Sequence, residues 1–156
     1  MPYQLDQTDR RILSVLLENA RISNSELAER VNLSPSPCWQ RVRKLEERGY
    51  IKKYTAVLDQ ALLGMPDTAL VEIRLQQHDS TSFEEFGAKL SKLPEVLEIF
   101  AKTGEFEFFL KVAVNGTAGL DEFIQRKLHP LPEIRETRSN FVLRNLKETR
   151  AYLPEM

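Results

Sequence analysis

Gln40 and Arg43 stand three residues apart in a stretch that reads as helix, so their side chains leave one face side by side. A carboxamide can bond the edge of adenine at two points, and a guanidinium can do the same for guanine. Arg41 and Lys44, beside them, are cations suited to phosphate. Ser34, Ser36 and the free amides at the start of the same helix also suit a phosphate, because a helix N-terminus carries partial positive charge. Trp39, the single tryptophan, follows the apolar Cys38. Its indole either lies partly buried against a neighbouring helix or packs on a sugar–phosphate backbone or a thymine methyl. Cys38 itself reads as a small core residue. From Arg41 to Lys53 six basic residues stand against two acids, the local excess that phosphate neutralisation requires. The chemistry on offer is recognition of a polyanion.

These side chains need a scaffold, and the stretch from Ser23 to Gly49 supplies it. Ser23 and Glu26 have capping-box spacing, and Leu27, Ala28 and Val31 give the helix that follows one apolar face. Asn32-Leu33 interrupts the pattern. Ser34-Pro35 restarts it, with serine as N-cap and proline at the first helical position. Cys38, Val42 and Leu45 then form a narrow apolar stripe, and Gly49 falls where a helix C-terminus belongs. Two helices joined so tightly make a helix-turn-helix, whose second helix can enter the DNA major groove. A plain helical hairpin with a solvated basic face is the alternative; the local charge favours DNA.

An earlier helix opens at Leu5-Asp6, capped by Asp6 or Thr8, with Ile12, Leu13, Leu16 and Leu17 repeating at helical spacing. After Gly49, Tyr50 to Val57 is rich in β-formers and is expected to form a wing or a linker strand. Residues 59–67, with Gly64 and Pro66, make the best hinge, so the domains are expected at 1–60 and 61–156. Charge and aromatic usage divide there too. Residues 1–60 hold ten Lys/Arg and eight Asp/Glu, residues 61–156 twelve and fifteen, and all eight phenylalanines lie between Phe83 and Phe141. Two separate cores are implied, with only the first built to approach a polyanion.

Composition sets outer limits. The 156 residues are 42% hydrophobic and carry a formal net charge of −1, which is ordinary for a soluble globular protein. No apolar run approaches the ~18 residues of a membrane span, and the N-terminus lacks a signal-peptide core. One cysteine rules out an internal disulfide framework and fits the cytoplasm. Cys38, His78 and His129 have no metal-ligand spacing, so neither a metal nor a cofactor is expected. Nor is an enzyme, because the chain offers no nucleophile elbow, no phosphate loop and no histidine beside a carboxylate motif.

The second part reads as strand, helix, strand, strand, helix, strand. Ala69, Val71, Ile73 and Leu75 alternate, and residues 80–93 form a helix capped by Ser80 or Ser82. Val96 to Thr103 is a strand, and Phe106, Phe108, Leu110, Val112 and Val114 give an unbroken period-two face. Residues 117–129 are helical, and a last strand runs from about Ile134 to Leu143. This order, βαββαβ, is the ferredoxin-like pattern, so the fold class is α+β: a winged helix-turn-helix followed by a ferredoxin-like domain. Two helices cover only one sheet face. The other is expected to carry Leu70, Ile99, Phe109 and Ala113 among polar residues, which a second copy of the chain would cover.

Taken together these stretches resemble the Lrp/AsnC (leucine-responsive/asparagine regulator, feast/famine) family of bacterial and archaeal transcription regulators. The residues that carry the resemblance are 5–13, Ala20 to Ser23, Glu26-Leu27-Ala28, Leu33 to Pro37 with Arg41-Val42, Leu45-Glu46 and Gly49-Tyr50-Ile51. In the second part Thr103 to Phe108 matches the family's Gly-acid-aromatic-acid-aromatic turn, and Lys147-Glu148-Thr149 its C-terminal lysine segment. The resemblance adds Pro37 to the DNA-binding residues. It implies that Thr103, Gly104, Glu105, Phe106 and Glu107, with Arg138 or Ser139 from the last strand, line an effector pocket between dimers. Amides near Gly104 would receive a carboxylate and Glu105 or Glu107 an ammonium, which suits an amino acid. Arg138, if it faces that pocket, would favour an acidic or polar one. Glu107 stands where the family usually has aspartate. The partners implied are double-stranded DNA, an amino acid or related metabolite, and further copies of the chain as dimers assembling to octamers. The alternative reading is an architectural DNA-binding protein without an effector.

Overall fold

The computed structural model describes residues 4–76, 80–148, 151, 153 and 154, without the side chains of 80–82. His78, Thr149 and the caps expected at Ser80 or Ser82 therefore lie outside the described residues and side chains. The chain folds as two compact units, Met1–Val57 with Lys147–Met156, and Leu58–Leu146.

The first unit contains α1 (Gln7–Glu18), α2 (Asn24–Arg30) and α3 (Pro35–Glu47). Both expected starts are built as capping boxes. Asp6 accepts from the Asp9 amide and Asp9 from the Asp6 amide, while Ser23 and Glu26 do the same at α2. Asn32, at φ 57°, makes the left-handed turn between α2 and α3, a conformation asparagine tolerates better than most residues. The Leu33 amide then reaches back to the Ala28 carbonyl at 2.9 Å. Ile12, Leu27, Ala28, Val31, Cys38 and Leu45 close the core. Ser34 has the N-cap backbone, yet its hydroxyl makes no bond to the helix. The expected strand from Tyr50 to Val57 is not formed: the described residues 51–59 lack regular structure. A strand exists only by pairing, and no other extended segment of the described unit offers it an edge.

The second unit is a four-stranded antiparallel sheet in the order β2-β3-β1-β4, from β1 (Asp67–Leu75), β2 (Val96–Ala101), β3 (Phe108–Val114) and β4 (Ile134–Phe141). Helix α4 (Ser80–Leu90) and helix α5 (Gly116–Phe123) complete the βαββαβ order. Ala69, Val71, Ile73 and Leu75 of β1 and Phe108, Leu110, Val112 and Val114 of β3 share one buried face with Phe86 and Leu90. Phe108 stacks on Phe83 at 4.5 Å and meets Phe86 edge-on at 5.3 Å.

Two expectations fail here for reasons of register. Ile99 pairs with Leu110 and packs into the core, not on the open face. The β2–β3 register shifts between Val96 and Glu98, so one extra residue reverses the parity, and Phe100 takes the outward place beside Phe109. Phe106 likewise leaves the row of Phe108: it is buried outside the core cluster, beneath charged side chains. The helix expected over 117–129 also changes pitch. It is α-helical to Phe123 and then makes one π turn, Ile124–Leu128, where the His129 amide donates to the Ile124 carbonyl at 2.9 Å.

Candidate nucleic-acid interface and ligand turn

Burial of Cys38 and Leu45 against α1 and α2 fixes which side of α3 is left for DNA. Trp39 is 52% exposed, so it is both partly packed and partly available. The Arg43 guanidinium lies 5.4 Å over the indole, and its Nε donates to Glu47 at 2.8 Å one turn later. Arg43 is thus held out by a ring and a carboxylate, in a place where a rival acceptor meets only a solvated ion pair. Ser34, Ser36, Pro37, Gln40 and Lys44 are exposed along the same helix. Asn24 donates to the Pro35 carbonyl at 2.8 Å and so ties the start of α3 to α2.

Arg41 departs from the expectation of a phosphate anchor. Its Nη1 lies 2.6 Å from Asp6 and 2.8 Å from Asp9, and the Asp9 side chain is fully buried. The two carboxylates that cap α1 therefore clamp α3 as well. Burial works to raise the Asp6 carboxyl, but the Asp9 amide and the Arg41 guanidinium together hold it below its ordinary value. Sequence reading missed this clamp, though Asp6 and Asp9 at capping-box spacing were its visible half. It also missed Tyr54. That hydroxyl donates to Glu46 of α3 at 2.8 Å, and burial, with the Glu46 carboxylate, pushes it up to about 12.

At the turn between β2 and β3, Gly104 has φ 116°, which side chains resist, and open space where a Cβ would stand. Thr103 and Glu105 flank it, both exposed. Glu105 accepts from Arg74 at 2.8 Å. Glu107 is 8% exposed and accepts from the Leu75 amide at 3.0 Å, so it is tied to the end of β1 and is not a free acceptor. The Phe106 ring lies beneath the Arg138 guanidinium at 4.4 Å and the Lys102 ammonium at 5.9 Å. Lys102 in turn meets Glu72 at 2.8 Å and Arg138 meets Glu136 at 3.4 Å. Arg138 thus joins the turn. Ser139 does not: it pairs with Val71, on the helix-covered side. Arg74 and Glu72 went unrecognised because only strand pairing brings them beside the turn, and Lys102, adjacent in sequence, because its partner Glu72 lies on another strand.

A basic helix held out by two others, and a sheet whose turn gathers alternating charges over one aromatic ring, define a two-domain DNA-binding regulator with a ligand-binding part. Residues 5–52 match the family model for winged helix-turn-helix DNA-binding domains, and residues 68–152 match the Lrp/AsnC ligand binding domain. The chain belongs to the Lrp/AsnC family of transcription regulators. It is 39% identical to the leucine-responsive regulatory protein of Salmonella typhimurium over 145 residues, 93% of this chain and 88% of that one. A transcriptional regulator of Neisseria meningitidis, solved as a complex with L-Met, superposes with a TM-score of 0.90 at 35% identity, covering 96% of this chain and 97% of that one. AsnC of E. coli superposes with a TM-score of 0.85 at 30% identity, over 96% and 99%. These relatives are regulators of transcription, not enzymes. Among the described residues no cluster could hold a metal ion, and no helix is long and apolar enough to cross a membrane.

Proposed function

We propose that this protein is a cytoplasmic, sequence-specific transcription regulator whose grip on DNA responds to an amino acid. Residues 1–60 would read the duplex. Gln40 and Arg43 would meet base edges, Lys44, Ser34, Ser36 and Pro37 the backbone, and Trp39 would pack beside them. The observation that carries the reading is the outward face of α3, where Trp39 and Glu47 pre-set Arg43.

Residues 61–156 would bind the effector at the Gly104 turn. A ligand carboxylate can take the place of Glu105 on Arg74, at the modest cost of one exposed ion pair, and the released Glu105 can receive the ammonium. Phe106, capped by Arg138, is the wall of that site. The L-Met complex of the Neisseria relative supports an amino acid as the ligand class. A second copy would cover the open sheet face, where Phe100, Phe109, Leu70 and Ala113 stand among Glu98, Lys111 and Glu72, and such dimers would assemble further. A face with both signs in one row suits a self-complementary partner.

The test has two arms. Selection from random duplexes should return one recurrent operator. A thermal-shift panel of the twenty amino acids should return at least one that stabilises the parent and fails on Gly104→Val. An architectural protein would return neither. Unchanged amino acid affinity in Gly104→Val would move the effector site away from the turn.

A further inference from the structure

Trp39, Arg43 and Glu47 stand four residues apart in one exposed row of α3, beside the row of Ser36, Gln40 and Lys44. The middle residue is held twice. Its guanidinium lies 5.4 Å over the indole, and its Nε donates to Glu47 at 2.8 Å. Both side chains of that ion pair are well exposed, at 60% and 61%, so it contributes little to stability. Its order is also the weaker one for a helix, with the cation four residues before the acid. Glu47 is the last residue of α3, where the helix dipole disfavours an acid, and it lies on the face that is to meet a polyanion. Three electrostatic rules thus oppose a carboxylate here. Local rules broken without gain in stability are expected at functional positions.

We infer that Glu47 is a specificity-determining residue of the DNA-reading helix: it fixes Arg43 as an end-on fork that takes guanine and refuses phosphate. This rests on the base-reading role proposed above for Arg43. A guanidinium offers paired donors along its side, Nε with one Nη, and at its end, where the two Nη groups stand together. Glu47 occupies Nε and so closes the side, while among the described residues neither Nη meets an acceptor. The end fork is what remains. Its two parallel donors match O6 and N7 of guanine, whereas adenine sets an amino group, itself a donor, against one of them. An untethered arginine has another choice. It can swing to a phosphate, which is the same beside every base pair and carries no sequence information. The Glu47 carboxylate opposes that move twice, by holding Nε and by repelling the phosphate that Arg43 would approach. It acts through Arg43 and needs no base contact of its own.

The test uses the full chain and the operator duplex recovered by selection from random duplexes, together with its single-base substitutes. Glu47→Ala should bind the substitutes at the Arg43 position more tightly, so that discrimination there falls about tenfold while preference at other positions is kept. The slope of log affinity against log salt should steepen by about 0.9, because the released Arg43 takes up a phosphate. In an Arg43→Ala background the change at position 47 should cost no further discrimination. The urea midpoint should stay at the parent's value. A role confined to holding the helix would instead lower that midpoint and weaken all duplexes alike, which overturns the inference. So does parent-like discrimination in Glu47→Ala when Arg43→Ala relaxes it. If Arg43→Ala relaxes nothing, the base-reading role of Arg43 is what fails, and the inference falls with it.

Discussion

Arg41→Ala separates two roles that a cation on a DNA-reading helix can play. In the structure its guanidinium joins Asp9, fully buried, and Asp6, which is 51% exposed. Hydrogen bonds to charged groups contribute about 1.5–3 kcal/mol each when shielded, and the exposed Asp6 limb falls to roughly 0–1 kcal/mol by solvent screening. The loss should therefore be about 2–3 kcal/mol of stability in the first unit, most of it through Asp9. Trp39 is the sole tryptophan and sits in that unit, so urea denaturation of the full chain followed by its fluorescence reads the right core. A double-mutant cycle with Asp9→Asn should return a coupling of about 1–2 kcal/mol. On operator DNA the slope of log affinity against log salt should stay at the parent's value, because no phosphate contact is lost. A slope lower by about 0.9 with stability unchanged would show that Arg41 holds a phosphate and that the clamp reasoning is wrong. The clamp also has a pH signature. The Asp6 carboxyl is depressed below 3.8, so its stabilisation is complete above that value and fades as pH falls through and below it. Asp6→Asn should lack that part of the acid transition.

Three further outcomes are expected. Arg43→Ala should relax base preference at one operator position and cost roughly 1–3 kcal/mol, whereas Lys44→Ala should weaken all duplexes alike and lower the salt slope by about 0.9, both read by titration against an operator-variant panel. Phe109→Asp, outward beside Phe100 at 6.1 Å, should convert dimer to monomer by sedimentation without unfolding the sheet; a dimer that persists would place the second copy elsewhere. Tyr54→Phe tests the latch to Glu46: the tyrosine is raised from 10.0 to about 12, so its stabilisation is whole below pH 10 and lost towards pH 12, and the difference between parent and variant should close over that window.

Where the sequence was legible, one local rule decided the outcome. The capping boxes at Asp6–Asp9 and Ser23–Glu26, the period-two row of β1 and the order of elements all follow from neighbours along the chain. What escaped depends on pairing across it. Ile99 changed faces because of one bulge residue, and Phe106 because the turn lifts it out of the β3 row. The strand expected at Tyr50 has the right composition but no partner among the described residues of its unit, and composition cannot supply one. Charged sites show the same limit. Each cation was visible in sequence, but Arg41's partners lie thirty or more residues away, so a residue suited to phosphate is found paired with two carboxylates of its own unit.

That exchange clarifies how the DNA-reading face keeps its shape. A recognition helix needs cations outward, yet a helix of 13 residues on a six-residue buried core is weakly oriented by apolar contacts alone. Three polar ties supplement the core at three points along α3: Asn24 on Pro35 at its start, Asp6 and Asp9 on Arg41 in its middle, and Tyr54 on Glu46 near its end. None uses Gln40, Arg43 or Lys44. On the proposed reading, orientation and recognition fall to different side chains of one helix: substitutions at positions 40 and 43 would leave these ties intact, whereas loss of a tie would move the whole outward face. Tyr54 is the one tie that lies C-terminal to the helices.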